Sequence, residues 1–175
     1  MEPEELIEFL LTRRSIRKYR KDPVPVDLLL KLVDVARFAP SARNSQPWEF
    51  ILVTDQDVKQ RLVSIYPWRQ PLSEAPAGIV VLCDETVSPQ FFVCDCANAV
   101  MYLMLAAHAY GLGTVWIGVG EREKRRVQDI VGAPQHKVPI AIVAVGWPDE
   151  KPLPRPRKPV NEITHINSYG VKPPS

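Results

Sequence analysis

The chain has 175 residues, of which 46% are hydrophobic and 24% are charged, and its formal net charge is +2. A chain of this length can bury enough apolar surface to fold as one domain over residues 1–175 without disulfide bonds. The composition excludes global disorder, and the near-neutral charge excludes a general nucleic-acid-binding role because acidic residues are mixed with the basic ones. A soluble protein that binds a small molecule is the class that remains.

Cysteine content and the N-terminal residues both indicate a cytoplasmic protein. Residues 1–11 carry glutamates instead of a basic segment followed by an apolar run, which argues against a signal peptide, and no apolar stretch is expected to approach transmembrane length. Three cysteines are an odd number, which argues against a disulfide framework and for a reducing compartment. Cys83 is expected to be an inert thiol at the end of a buried strand. Cys94 and Cys96 are two residues apart on a predicted helix, so they are expected to point to different sides of it and not to bind one metal ion together.

Hydrophobic periodicity predicts the helices and strands in chain order. Apolar residues recur at helical spacing in 6–11 and again in 28–36, and the second pattern stops before Pro40, which disfavours continuation of a helix. The segment 91–110 is apolar on most sides and is predicted to be a buried central helix. The predicted helices cover residues 4–13, 25–39, 58–65, 91–110 and 121–131, the predicted strands cover 50–53, 78–82, 114–117 and 139–145, and a loop is predicted over 66–76.

The segment 147–175 is predicted to be an extended C-terminal tail. Many of the 18 prolines of the chain fall between residues 134 and 174, so this part is too rich in proline to form much core. Its apolar residues Val160, Ile163, Ile166 and Tyr169 nevertheless need a surface to cover. A partner subunit is one such surface.

Four short motifs are the candidates for function. Two are rich in arginine and lie near opposite ends of the chain, 13–17 (RRSIR) and 155–158 (RPRK), and between them lie 40–48 (PSARNSQPW) and 111–118 (GLGTVWIG). Arginine presents paired, planar donors that suit a phosphate group, so the two basic segments predict an anion site built from both ends of the chain. Read singly, the motifs have ordinary interpretations as a solvated helix end, a turn-rich loop, a strand end and a basic linker.

Taken together in this order, the motifs resemble those of the flavin-dependent nitroreductase family, and the likeness runs from about Arg13 to His165 and includes the stretch 106–113 (AAHAYGLG). Members of that family are FMN-binding homodimers of α+β fold, and they also include quinone and enone reductases and related dehalogenating enzymes. The resemblance implies a central mixed or antiparallel sheet flanked by helices, in an intertwined homodimer whose tail, 147–175, extends onto the partner. It also implies FMN as cofactor and NADH or NADPH as electron donor.

The resemblance further implies the residues of a flavin site. Arg17 would approach N1 and O2 of the ring, where a cation stabilises the negative charge of the reduced flavin and tunes its potential. The backbone N–H that faces N5 is left open, because the family often has two glycines or an acid and a glycine after the isoleucine, and this chain has Gly118-Val119-Gly120. The implied positions are Arg13, Arg14, Ser15, Arg155 and Arg157, with Lys158 as a third C-terminal cation, on the phosphate and ribityl chain; Pro40, Ser41, Ala42 and Asn44 toward the flavin of the other subunit; Gln70 near the ring; and Trp116, Ile117, Gly118 and Val119 over one ring face.

The implied activity is transfer of a hydride from NADH or NADPH to FMN and then of electrons to a small flat acceptor such as a nitroaromatic or a quinone, in a two-step (ping-pong) sequence. No side-chain acid or base is needed, and the three histidines have no metal-binding spacing, so neither a catalytic side chain nor a metal site is expected. Dinucleotide-fold and P-loop fingerprints are absent. Two other hypotheses stay open, a flavin-binding carrier or redox-responsive module without turnover, and a specialised flavin enzyme such as a reductive dehalogenase.

Overall fold

A computed structural model describes residues 2–66 and 70–174. A short 3₁₀ turn, Ala42–Asn44, lies between the second helix and the first strand. The helices are α1 (Pro3–Thr12), α2 (Val26–Ala36), α3 (Gln56–Ile65), α4 (Gln70–Glu74), α5 (Phe92–Ala109), α6 (Glu121–Val131) and α7 (Val160–Ile163), and the strands are β1 (Trp48–Val53), β2 (Ala77–Asp84), β3 (Gly113–Gly118) and β4 (Lys137–Gly146).

Every predicted helix and strand is confirmed in place, and the bounds of α6 agree with the prediction. Helix α2 ends three residues earlier than predicted, where the N–H of Arg37 bonds back to Val33 and closes the last turn. The predicted loop over 66–76 is wrong at 70–74, where α4 forms, and residues 67–69 lie outside the described residues. Five residues are too few to show a helical period, so no pattern in the sequence marks α4. Leu72 and Ala75 are buried against the rest of the fold, which explains why the helix forms there.

The four strands form one antiparallel sheet in the order β1-β2-β4-β3. Strand β2 is buried along its whole length, and its side chains alternate between the two faces of the sheet. Ile79 and Val81 pack with α2 and α5 in one core, whereas Val80 and Leu82 pack with α3, α4 and α6 in a second core. The result is the predicted α+β architecture, with helices on both faces of an antiparallel sheet.

Helix α5 is the central helix of the first core, as predicted, and it packs against α2 and all four strands. Within the described part of the chain it is also the one helix that is long and apolar enough to span a membrane by length and composition, which corrects the expectation that no segment approaches that length. Nearly half of that helix is buried inside the protein. Packing inside the fold therefore accounts for the apolar composition of α5.

Cys83 and Cys96 form a disulfide in the structure, so the expectation of a free thiol at Cys83 is wrong. Their Cα atoms are 6.2 Å apart because the end of β2 packs on the inner side of α5. Sequence spacing alone did not reveal this contact, since it depends on how strand and helix are docked. Cys94 is exposed and unpaired, in agreement with the prediction that it lies on a different side of the helix from Cys96.

Lys137 ties together the ends of three strands. At the start of β4, its ammonium group donates a hydrogen bond of 2.9 Å to Asp84 on β2 and another to Glu49 on β1. Asp84 also accepts from the hydroxyl and the backbone N–H of Thr86. Hydrogen bonds from Thr86 and then from Lys137 hold the pKa of Asp84 well below its usual range. This cluster stabilises the sheet only while the carboxylate is charged.

Replacing Lys137 with methionine is expected to lower the free energy of unfolding by about 3 kcal/mol, because the largely buried Asp84 loses its cation. Urea denaturation at pH 7 measures this. The matched control is Lys124→Met, which removes an ion pair to the exposed Glu121 on α6 and should cost about 0–1 kcal/mol.

Acidification should reduce the difference in free energy of unfolding between the wild type and Lys137→Met. A carboxylate whose folded pKa is depressed stabilises the protein above its unfolded pKa, about 4, and loses that contribution as the pH falls through the folded value. The prediction is wrong if Lys137→Met and Lys124→Met lose equal free energy of unfolding. It is also wrong if the difference between the wild type and Lys137→Met does not depend on pH.

Candidate functional site

The first arginine segment is held beside the sheet by backbone hydrogen bonds. Helix α1 ends at Thr12, and the chain then runs extended past β3, where the N–H of Ile16 donates to Thr114 at 2.9 Å. It continues along the segment that follows β4, where the N–H of Arg20 donates to Trp147 and the N–H of Asp149 donates to Lys18. These bonds bring the residues after α1 next to the beginning of the C-terminal tail.

A small cavity of about 150 Å³ lies where the two arginine segments meet. The structure thus brings together residues from both ends of the chain, as the two motifs predicted. Its lining residues are Arg13, Arg14, Ser15, Arg17, Pro152, Leu153, Arg155 and Arg157. Lys158 is not among them. We refer to this cavity as the arginine pocket.

Arg13 is the residue of the arginine pocket that most clearly needs an acceptor. Within the described residues, its Nη1 is a buried donor that has no hydrogen-bond partner. Burial, and then the positive charges of Arg14 and Arg157, lower the pKa of Arg13. A buried donor without an acceptor, surrounded by like charges, is costly, and a bound oxyanion would satisfy both the donor and the charge. The pocket therefore fits a phosphate group.

A larger cavity of about 690 Å³ adjoins the arginine pocket and shares Arg17 with it. Its volume is in the range typical of sites for small molecules and cofactors. The predicted residues Arg17, Trp116 and Ile117 line it, and Glu74 and Glu150 add carboxylates. We call this the ring cavity. Gln70 begins α4 beside it, and its side chain lies outside the described residues.

The outer edge of β3 provides backbone donors beside the ring cavity. In an antiparallel pair, successive residues alternate between bonding the neighbouring strand and pointing away from it. The N–H of Val119 donates to Ile140 of β4, whereas the carbonyl of Thr114 accepts from Ile16 on the opposite side. The same alternation directs the N–H groups of Trp116 and Gly118 to the open edge. Of the two positions after the isoleucine, Gly118 and not Val119 has its N–H available.

The segment 40–46 lies away from both cavities within one chain. It lines a separate cavity of about 410 Å³, formed by Ala42, Arg43, Ser45 and the segment 87–91. Three of its residues, Arg43, Asn44 and Gln46, have φ angles of 55°, 56° and 47°. Side chains other than glycine rarely adopt this conformation, which costs about 1–3 kcal/mol per residue, and such strain concentrates at functional sites. The structure does not bring Pro40, Ser41, Ala42 and Asn44 to the arginines of their own chain.

Two carboxylates at these sites were missed by the sequence reasoning. Glu150 lines the ring cavity and accepts from the N–H groups of Arg17 and Lys18, the latter at 3.1 Å. No motif marks it, because it lies in the proline-rich tail. Asp95 is buried in α5 and accepts from the N–H of Ala42. Its signal was visible in the sequence, since an acid inside an apolar helix needs a partner.

His108, near the end of α5, contacts two residues of α1. Its Nε2 lies 3.1 Å from the hydroxyl of Thr12, and its ring stacks on Phe9 with the centroids 4.8 Å apart. Burial, followed by the charge of Arg13, lowers its pKa. In residues 2–66 and 70–174, no group of three or more histidine, cysteine, aspartate or glutamate side chains is arranged to hold a metal ion.

Comparison with known proteins identifies the family. The model of the nitroreductase family matches residues 10–86 and 66–147. A protein of Methanothermobacter thermautotrophicus, named as an NADH dehydrogenase/NAD(P)H nitroreductase, is 37% identical over 152 residues, which cover 85% of this chain and 80% of that protein. The chain therefore belongs to the nitroreductase family.

Solved structures agree with this assignment. A crystal structure of a protein from Parabacteroides distasonis, named in the same way, superposes with a TM-score of 0.89 at 34% identity and covers 94% of this chain and 99% of that one. An FMN-dependent nitroreductase from Clostridium difficile superposes with a TM-score of 0.82 at 28% identity, covering 93% and 99%.

Inorganic phosphate is expected to raise the melting temperature of the flavin-free protein by about 3–6 °C at a concentration about ten times its Kd, because binding to the folded state alone stabilises it. Chloride at equal ionic strength should not do so. Arg13→Gln should remove the response, since it removes the buried unpartnered donor.

Arg125→Gln on the exposed side of α6, where Arg125 pairs with Asp129, is the control and should keep the response to phosphate. Differential scanning fluorimetry measures all three proteins. A phosphate response that survives Arg13→Gln would place the anion somewhere other than the arginine pocket.

Proposed function

We propose that the protein is an FMN-dependent oxidoreductase that takes a hydride from NADH or NADPH and reduces small flat acceptors such as nitroaromatics or quinones in two successive steps. Family membership carries the coarser part, an NAD(P)H-dependent flavin oxidoreductase. Names such as NADPH-flavin oxidoreductase and FMN reductase (NADPH) recur among its relatives. Dependence on NAD(P)H also favours a location in the cytoplasm.

The single observation that carries the cofactor assignment is the arginine pocket with its buried, unpartnered Arg13 donor beside the ring cavity. A phosphate at the first and a flat ring in the second match the two ends of FMN. Arg13, Arg14, Ser15, Arg155 and Arg157 would hold the phosphate and ribityl chain. Bound FMN would supply a centre that accepts a hydride from the donor and passes electrons to the acceptor.

Residues of the ring cavity would tune and orient the flavin. Arg17 lines both cavities, so its guanidinium can reach N1 and O2 while Arg13 remains at the phosphate. Trp116, Ile117 and Val119 would cover one ring face, and the free N–H of Gly118 on the edge of β3 is the donor that we assign to N5. Gln70, at the start of α4, would approach the ring from the other side of the cavity.

The complete site would require two copies of the chain. Pro40, Ser41, Ala42 and Asn44 are remote from the arginine pocket of their own chain, which supports a role at the flavin of a partner subunit. Large apolar side chains are exposed on α1 and along the tail, 147–175, and contact between subunits would cover them. They are Leu6, Ile7, Leu10, Leu11, Leu153, Val160, Ile163, Ile166 and Tyr169.

The purified protein is expected to be a yellow homodimer with about one FMN per subunit and to oxidise NADH or NADPH when a quinone or a nitroaromatic is added. Mass spectrometry of the released cofactor, analytical ultracentrifugation and steady-state kinetics test the three parts. Parallel lines in double-reciprocal plots would support the two-step sequence. FMN binding without turnover would favour a carrier, dehalogenated products would favour a specialised enzyme, and a flavin-replete monomer would contradict the shared site.

Arg17 and Arg13 are expected to have separable roles. Arg17→Gln should retain FMN but lower its two-electron potential and slow hydride uptake, because the negative charge of the reduced ring loses a charged donor worth about 1.5–3 kcal/mol. Arg13→Gln should weaken FMN binding and change the potential of the remaining bound flavin little, because its contact is with the phosphate. Spectroelectrochemical titration of both variants decides. Equal shifts of potential would contradict the division of roles.

A further inference from the structure

The carboxylate of Asp95 is buried, and the proposed function does not use it. Asp95 is 4% exposed and lies in the first turns of α5, a helix that is otherwise almost wholly apolar. In the described part of the chain it takes part in no ion pair. A charged group inside a protein needs donors, and here all of them are neutral.

Three donors from two separate segments converge on this carboxylate. The N–H of Ala42 donates to Oδ1 at 2.9 Å, and the hydroxyl of Ser45 donates to Oδ2 at 3.3 Å. The hydroxyl of Ser88, which precedes α5, donates to Oδ2 at 2.7 Å. Ala42 begins the 3₁₀ turn and Ser45 follows it, so Asp95 holds both ends of that turn.

A second residue of α5 holds the same loop. Asn98 lies three positions after Asp95, on the same side of the helix, and its amide donates to the carbonyl of Pro40 at 3.2 Å. The loop 40–46 is therefore attached to α5 at its start and around its turn. Within the loop, the hydroxyl of Ser41 accepts from the N–H of Gln46 at 3.0 Å.

The loop needs such attachment because of its backbone conformation. Arg43, Asn44 and Gln46 all have positive φ, and of these residue types only asparagine tolerates the left-handed region well. Such a backbone keeps its conformation only when the surrounding contacts over-determine it. Asp95 supplies acceptors at the two positions that flank Arg43 and Asn44, so its carboxylate fixes the strained part of the loop.

We propose that Asp95 is a positioning residue for the flavin of the partner subunit. It holds the loop 40–46 in the left-handed conformation in which Ser41, Ala42 and Asn44 face that flavin. A carboxylate suits this role because both of its oxygens only accept hydrogen bonds, so one side chain satisfies all three donors. The inference rests on the proposed function, in which this loop acts across the subunit interface.

The first test compares FMN dissociation constants, measured by fluorescence titration of the flavin-free dimers. Asp95→Ala is expected to raise the Kd about tenfold and to change the visible circular dichroism of bound FMN, because the loop loses its anchor. Asp95→Asn should stay within about threefold of wild type, since the amide oxygen can accept from Ala42 while the rotating serine hydroxyls accept from the amide N–H₂.

Leu103→Ala is the matched control, because Leu103 is a fully buried residue of the same helix, two turns farther along. It should lower the melting temperature by several degrees through the cavity it leaves, and leave the FMN Kd and the visible circular dichroism unchanged. An unchanged Kd in Asp95→Ala, or an equal rise in Leu103→Ala, overturns the proposal. If Asp95→Ala gives no soluble dimer, Asn98→Ala, which removes the contact with Pro40, is judged by the same outcomes.

The second test asks whether Asp95 acts on the partner's flavin. A mixed dimer of one Arg13→Gln subunit and one Asp95→Ala subunit, purified through two different affinity tags, has two inequivalent sites. If the loop acts across the interface, the site with intact Arg13 also receives the intact loop, and one FMN per dimer binds with the wild-type Kd. If the loop acts within its own subunit, each site carries one defect, no site has the wild-type Kd, and the proposal is overturned.

Failure of the proposed function would look different. If the wild-type protein binds no FMN, or if the Arg13→Gln homodimer binds FMN with the wild-type Kd, the proposed flavin site itself is wrong. With both of those controls as expected, the Asp95 variants and the mixed dimer report on the positioning role alone.

Discussion

The site depends on arginines from both ends of the chain being held at one small cavity although they repel one another. Arg13 is partly buried there, and Arg14 and Arg157 make its charge still less favourable. Backbone hydrogen bonds hold the two segments together against this repulsion. The main ones join Ile16 to Thr114, and residues 18–20 to the residues that follow β4. Backbone groups therefore hold the arginines in place, and the proposed anion would neutralise them.

The same pairing decides the shape of the ring cavity. The segment after α1 lies beside β3 only as far as Thr114 and then passes to the residues beyond β4. In the described residues, the outer edge of β3 from Trp116 onward has no partner strand, and Trp116 and Ile117 line the cavity. Glu150 holds the diverging backbone by accepting from Arg17 and Lys18. The proposed phosphate and ring ends of the site thus follow from where one strand-like pairing stops.

Helix α5 connects the core to the loop 40–46. Its apolar residues pack on the sheet, and Leu103 and Val100 are fully buried there. Near its N-terminal end, Asp95 and Asn98 instead bind the strained loop. A loop with three non-glycine residues at positive φ keeps its conformation only when the surroundings over-determine it, and a helix fixed in the core is a rigid support for that purpose. Core packing therefore places the helix that carries Asp95 and Asn98 beside the loop.

The sequence by itself determined the long elements and predicted that the two arginine segments meet, which they do at one cavity. Hydrophobic periodicity located every strand and the five longer helices, because a buried face imposes a spacing of two or 3.6 residues. The order of the motifs indicated the family, because contact with a cofactor restricts the residue type at each position. Short or aperiodic features were out of reach: α4 has only five residues, and its helical form depends on burial of Leu72.

Contacts between distant segments were decided only by the tertiary structure. The Cys83–Cys96 disulfide depends on how β2 docks on α5, and the choice of Gly118 over Val119 as the free donor depends on the register of β3 against β4. The roles of Asp95 and Glu150 depend on backbone groups of remote residues, and a backbone N–H looks the same at every position of a sequence. Periodicity reports which side of an element is buried, whereas these features depend on where two elements meet.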